Sequence, residues 1–239
     1  MQIDSRGVAS LSPTPQARDY DLFFERPAGP TSSNYVTFEL INFSDDDVST
    51  GQILLDRVVV DSIAPLVMTG GRQLAEYGFA NYDTESWRMS QTPAPFVAPT
   101  LSVDNGHLVL TANNDNTATF GYWESPTVTL SQVSRLIRAT FTVKTDQGDP
   151  AIVPGFRLRI NQQNFEQHGA VKVDSTGAGG ASPSATQPID YPVYLLAPAN
   201  QGLSVVLCFD MLNFTPGDAP TGVLRLDRAV LEEFDIPDF

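Results

Sequence analysis

Residues 207–231 read LCFDMLNFTPGDAPTGVLRLDRAVL, and residues 36–60 read VTFELINFSDDDVSTGQILLDRVVV. The two stretches align without a gap at an offset of 171, with ten of 25 positions identical: Phe38/Phe209, Asn42/Asn213, Phe43/Phe214, Asp47/Asp218, Thr50/Thr221, Gly51/Gly222, Leu55/Leu226, Asp56/Asp227, Arg57/Arg228 and Val59/Val230. The likeness runs further back, since Asp19-Tyr20 matches Asp190-Tyr191 and Pro27-Ala28 matches Pro198-Ala199. With one residue gapped, Ile3-Asp4-Ser5 resembles Val173-Asp174-Ser175. Agreement in identity, order and spacing marks an internal repeat. Nothing in 1–66 resembles 69–170, so the chain divides into a partial unit, 1–66, whose strands match 172–236, and a complete unit, 67–239.

Outward from that repeat, the apolar pattern has period two. In 135–145, Ile137, Ala139, Phe141 and Val143 fall on one face and Arg138, Thr140, Thr142 and Lys144 on the other. In 155–161, Phe156, Leu158 and Ile160 alternate with Arg157, Arg159 and Asn161. Such alternation belongs to strands with one face buried against another layer. The complete unit predicts strands near 78–89, 100–112, 118–130, 135–145, 155–165, 170–174, 191–197, 203–214 and 222–234, and no helix longer than a turn or two. The Gly/Ser/Pro/Ala run 175–189 and its counterpart 5–18 read as surface loops, and a joint between units is expected near 64–77. This many short strands fits an all-β, antiparallel two-sheet sandwich with its closing strand set duplicated at the N-terminus.

Composition narrows the chemistry. Apolar residues make up 41% of the chain, enough for a packed core, and the 17 Gly and 18 Pro suit short strands joined by tight turns. The excess of 28 acidic over 14 basic residues, a net −14, repels a phosphate backbone and argues against nucleic acid. No apolar run reaches the ~18 residues of a membrane helix, so no membrane insertion is expected. Residues 1–6, MQIDSR, form no apolar signal core. The lone Cys208 sits in an apolar strand, where a buried inert thiol is the ordinary outcome, and the two histidines, His107 and His168, lie in no catalytic pattern. No nucleophile elbow, metal-binding His pair or phosphate-cradling loop occurs, so no catalytic residue is assigned and the chain is expected not to be an enzyme.

The segments TLSVDNGHLVLTANN (100–114), FGYWESPTVTL (120–130), LIRATFTVKTD (136–146), FRLRI (156–160) and the closing FDMLNF and GVLRLDRAVLEEF (209–214, 222–234) resemble the jelly-roll carbohydrate-binding modules of the galactose-binding-like group. The resemblance covers roughly 80–236 at the level of pattern. It implies an antiparallel jelly-roll sandwich without catalysis of its own, extracellular or at the cell surface, with a polysaccharide or glycan as partner. It also implies a structural Ca²⁺, for which the recurring carboxylates Asp56, Asp210 and Asp227 are the candidates. Asp47 and Asp218 recur as well, and turn stabilisation explains them equally.

Sugar binding needs flat apolar faces beside polar groups. The candidate platforms are Tyr82, Trp87, Tyr122 and Trp123, against the ordinary reading that both tryptophans pack in the core. Tyr122 and Trp123 are adjacent and must point to opposite faces of their strand. Arg138, Thr140, Arg157, Arg159 and Asn161 would form one hydrogen-bonding surface if their strands are neighbours, and otherwise belong to ordinary solvated faces. Asn42-Phe43-Ser44 and Asn213-Phe214-Thr215 match the glycosylation acceptor pattern, though an Asn at a strand end has a structural reason to be there.

The partial unit carries Leu22, Phe24, Phe38, Leu40, Ile53, Leu55 and Val59 and must be covered. Each such side chain is worth roughly 1.5–3 kcal/mol when buried. The cover is the complete unit of the same chain, a neighbouring chain through strand addition, or a further unit of a tandem array. Two functions follow: a carbohydrate-binding or adhesion module, or a self-assembling surface or filament subunit that homo-oligomerises through 1–66.

Overall fold

The computed structural model describes residues 54–59, 68–90, 98–112, 119–133, 135–146, 154–162, 167–173, 188–197, 204–213 and 222–235. Most of the partial unit, residues 1–53, and the 175–187 part of the Gly/Ser/Pro loop lie outside the described residues, and with them Asp47, Asp218 and Asn42.

Among the described residues, twelve strands form two antiparallel sheets. They are β1 (Arg72–Tyr77), β2 (Arg88–Met89), β3 (Thr100–Asp104), β4 (His107–Thr111), β5 (Thr119–Glu124), β6 (Val128–Thr129), β7 (Arg135–Thr145), β8 (Gly155–Gln162), β9 (Gln167–Val173), β10 (Ile189–Ala197), β11 (Ser204–Asn213) and β12 (Val223–Phe234). The first sheet runs β10-β7-β12-β4-β3, and the second runs β2-β5-β11-β8-β9. The two long closing strands organise both. β12 pairs with β7 along one side, while its other side is shared by β4 and then β1. β11 pairs with β8 on one side and is shared by β5 and β6 on the other.

The alternation places the core where it was expected. Ile137, Ala139, Phe141 and Val143 of the first sheet meet Phe156, Leu158, Ile160, Leu207 and Phe209 of the second, all essentially without exposure. In β12 the register shifts between Leu226 and Arg228, where a bulge changes face. Leu224 and Leu226 point inward before it, Ala229 and Leu231 after it, and Asp227 is left on the outer face beside Lys144. Where the core ends, the buried Glu233 carboxylate accepts hydrogen bonds from Arg72 Nε at 2.7 Å and Ser131 Oγ at 2.6 Å.

Four expectations need correction. Residues 100–112 are not one strand but the hairpin β3–β4, because Asn105-Gly106 turns the chain, with Gly106 at φ 85° where a side chain is disfavoured. The strand expected at 78–89 is a looped segment with a single 3₁₀ turn, Ala80–Tyr82, ahead of the two-residue β2. The stretch 118–130 is broken at Ser125-Pro126 into β5 and β6, since proline supplies no ladder donor. The joint near 64–77 overlaps β1, which is hydrogen-bonded to β12 and so belongs to the sandwich.

Candidate functional site

Two surfaces bear on function: the outer face of the second sheet and the loop between β1 and β2. On the outer face, β8, β11 and β5 bring side chains into cross-strand rows. Arg157, Asp210 and Tyr122 form one row, and Arg159, Cys208 and Glu124 the next. Arg157 Nε donates to Asp210 Oδ2 at 2.7 Å, and Arg159 Nη2 donates to Asp210 Oδ1 at 2.7 Å. Arg159 Nε lies 2.6 Å from Oδ2 without the alignment of a hydrogen bond. Its guanidinium also sits over the Tyr122 ring, 5.0 Å from the centroid. Burial alone would lower the Arg159 pKa, but the charge of Asp210, the hydrogen bond to it and the neighbouring Cys208 and Tyr122 together outweigh burial and hold the group above its ordinary value. At the end of the second row, Arg88 Nη2 reaches Glu124 Oε1 at 2.6 Å.

This face is closed. Asp210, Asn161 and Cys208 have no exposure, and Tyr122, Glu124 and Arg159 have 7% or less. Both amide atoms of Asn161 are buried without a hydrogen-bond partner. Burial pushes the Cys208 thiol up to about 12, so it is no nucleophile at neutral pH.

The β1–β2 loop is the opposite case. Phe79, Asn81, Tyr82, Glu85 and Ser86 all have φ between 49° and 65°, a left-handed conformation that costs a non-glycine residue roughly 1–2 kcal/mol. The strain is held by a set of bonds. The Glu85 carboxylate accepts from the Gly78 and Phe79 amides at 3.1–3.2 Å. Asp83 Oδ1 accepts from the Glu85 amide at 2.8 Å. The loop is tied to the β3–β4 turn by Asn81 N–H to Asn105 Oδ1 at 3.1 Å and Gly106 N–H to Phe79 O at 2.9 Å. Underneath, Phe79 and Tyr77 pack edge-on against Trp87, with ring centroids 5.6 and 5.4 Å away. The apex therefore presents Tyr82, which is 64% exposed and is the one exposed aromatic among the described residues.

The residues singled out in the sequence are thus dispersed. Trp87 and Trp123 do not stand on a surface: both are in the core, with Trp123 Nε1 donating to Val109 O at 3.2 Å. Arg138 does not join Arg157, Arg159 and Asn161, because β7 and β8 lie in different sheets. Arg138 instead pairs with Glu232 at 2.8 Å and covers the Phe234 ring. The carboxylates named for calcium do not converge either. Asp210 is taken by two arginines, and Asp56 is exposed in 54–59. Asp227 lies on the first sheet, with His107 Nε2 at 3.1 Å and Lys144 Nζ at 3.7 Å. Among the described residues no group of three His, Cys, Asp or Glu could hold a metal ion, whereas Ca²⁺ takes six to eight oxygens. The loop itself was missed because its residues look like a strand flank. The run of Asn, Asp and Glu at 81–85 is the signal that could have marked a turn.

No family model and no curated protein matches the chain. Solved structures with a similar β-sandwich include the K3 cleaved adhesin domain of Lys-gingipain from Porphyromonas gingivalis, at 13% identity over 67% of this chain and 98% of that one, TM-score 0.42. Another is the CBM22-1 xylan-binding domain of Xyn10C from Paenibacillus barcinonensis, at 12% identity over 70% and 98%, TM-score 0.41. An enzyme is also among them, the endo-1,3-beta-glucanase from Streptomyces sioyaensis, at 14% identity over 74% and 100%, TM-score 0.45. The likeness is one of architecture, at a distance where neither ligand nor activity transfers.

Proposed function

We propose that the chain is a non-catalytic carbohydrate-binding or adhesion module, acting outside the cell or at its surface, that contacts a glycan through the β1–β2 loop. The observation carrying this reading is Tyr82, an exposed ring on a loop fixed by at least four hydrogen bonds and a buried aromatic footing. A ring carried on a backbone fixed before binding avoids the entropy of ordering a loop when a pyranose stacks on it. Strain of this kind persists only where the surroundings over-determine it, and it clusters at ligand-contacting segments. Asn81 and Asp83 in the loop, and Asn105 in the turn bonded to it, are all exposed and supply donors and acceptors for sugar hydroxyls. The closed face of the second sheet is then structural, its arginines occupied by Asp210.

Affinity electrophoresis against a panel of neutral and acidic polysaccharides tests the reading. Retardation by at least one polysaccharide is expected, and Tyr82→Ala should weaken it by about tenfold or more, ~1.4 kcal/mol. The melting temperature should stay unchanged, because the ring is outside the core. Retardation that survives the substitution would move the site elsewhere. No retardation by any polysaccharide would remove the glycan reading.

A further inference from the structure

His107 opens β4 directly after the Asn105-Gly106 turn, and both nitrogens of its partly buried ring face acceptors. Nδ1 lies 2.9 Å from the Asn105 carbonyl oxygen, and Nε2 lies 3.1 Å from Asp227 Oδ1. A carbonyl oxygen and a carboxylate oxygen only accept, so each contact needs a proton on the ring. The imidazolium has two N–H groups and supplies both. A neutral ring has one, and its other nitrogen turns a lone pair towards an oxygen.

The Asp227 end has the stronger claim on that single proton. Its Oδ1 is buried without an aligned hydrogen bond, and among the described residues Asp227 belongs to no group that could hold a metal ion. A hydrogen bond to an ionised carboxylate is roughly twice as strong as one between neutral groups. Loss of one proton therefore leaves Nε2–H on Asp227 and frees the Asn105 carbonyl. The charges around the ring come from three strands and the residue after β7. Lys144 of β7 stands 3.7 Å from Asp227 Oδ1, and Arg225 of β12 bridges Asp104 of β3 and Asp146. Asp104 and Asp146 both lie within electrostatic reach of His107.

The freed carbonyl matters to the β1–β2 loop. It shares one planar peptide unit with the Gly106 N–H. That N–H donates to Phe79 O at 2.9 Å, and the Asn105 side chain accepts from the Asn81 amide at 3.1 Å. Pinned at both edges, the peptide unit is fixed. Pinned at one, it can rotate, and the bonds that tie the strained loop to the turn weaken with it.

We infer that His107 is a proton-driven tautomer switch: the imidazolium locks the β3–β4 turn and with it the Tyr82 loop, and the neutral ring gives up the turn to hold Asp227. The tightening is present at the acid end and is lost as the pH rises through the range, about 5 to 8, in which histidine changes charge. The switch does not depend on what Tyr82 binds. It adds to the glycan reading that retention by a polysaccharide falls with rising pH.

NMR of the isotope-labelled full-length chain in EDTA, between about pH 5.5 and 8.5, tests it. The His107 ring nitrogens are followed beside the hydrogen-exchange protection of the Asn81 and Gly106 amides, corrected for the intrinsic pH dependence of exchange. The neutral ring is expected as the Nε2–H tautomer. Both protection factors should fall about three- to tenfold over the same transition, while amides along β11 stay unchanged. The ring's own signals separate His107 from His168. His107→Gln, which cannot titrate, should abolish the pH dependence of both amides. Asp227→Asn removes the charge that draws the proton away from Asn105 and should abolish most of the fall. An Nδ1–H tautomer in the neutral wild type, protection indifferent to the His107 transition, or a full fall that survives either substitution would each overturn the inference.

Discussion

The outer faces of the two sheets carry the same kind of residue and treat it in opposite ways. On the first sheet, Arg225 bridges Asp104 and Asp146 at 2.8 and 2.7 Å, Arg138 holds Glu232, and His107 and Lys144 flank Asp227. Asp104 and Asp146 are themselves largely in contact with water, at 51% and 44% side-chain exposure. On the second sheet, Arg157 and Arg159 close on Asp210 with no exposure of the carboxylate at all. Both arrangements come from charged residues at alternate strand positions. An exposed pair is screened and contributes little, whereas a buried pair gives little net gain when intact but leaves an uncompensated charge when one member is lost. The difference teaches that an outward-facing position in a sandwich is not by itself a solvated one.

The strongest way to break the comparison is Asp210→Ala. The buried Arg159 guanidinium and the partly exposed Arg157 would lose their shared carboxylate, and a loss of about 3–5 kcal/mol is expected in chemical denaturation. A loss below ~1 kcal/mol would mean that water reaches that face and the two sheets are alike. Cys208 sharpens the same point without altering any charge. With its thiol pushed up to about 12, labelling at pH 8 should be on the order of a thousandfold slower than for a free cysteine and should accelerate on unfolding. Rapid labelling of the folded chain would show that the face opens.

The smallest effect is expected on the first sheet. Arg225→Ala should cost up to about 1 kcal/mol, and the loss should shrink in high salt. It should also change the acid limb of the stability curve. The Asn105 amide and Arg225 hold Asp104 below its ordinary value, and Arg225 does the same for Asp146. Carboxylates depressed in the folded state add stability that is present above the ordinary carboxylate range, near ~4, and lost as the pH falls through their folded values. Asp227 works against them, because burial raises it, and its stabilising contribution is present only below that range and is lost as the pH rises. Removing Arg225 should therefore flatten the decline between about pH 4 and 2. Urea melts at a series of pH values measure it, and an unaltered acid limb would show that Arg225 does not set these carboxylates.

Much of this architecture was legible in the residues. Period-two runs such as 135–145 fix which side chains face inward, because successive Cβ atoms in a strand must point to opposite faces, and Ile137, Ala139, Phe141 and Val143 lie buried accordingly. The long closing strands β11 and β12 were readable for the same reason. Three things were not. Which strands share a sheet depends on contacts between residues far apart in sequence, so Arg138 could be grouped with Arg157 and Arg159 although a core separates them. Whether an outward position is covered depends on what packs above it, so Asn161 and Asp210 carry no sign in the sequence of being sealed from water. Which aromatic reaches solvent was decided by backbone reversal at 79–86, where hydrogen bonds to Glu85 and Asn105 hold left-handed residues that local preference alone would not adopt. Alternation is a local, covalent property of the chain. Sheet partnership, coverage and strained loops are enforced only by the assembled neighbours.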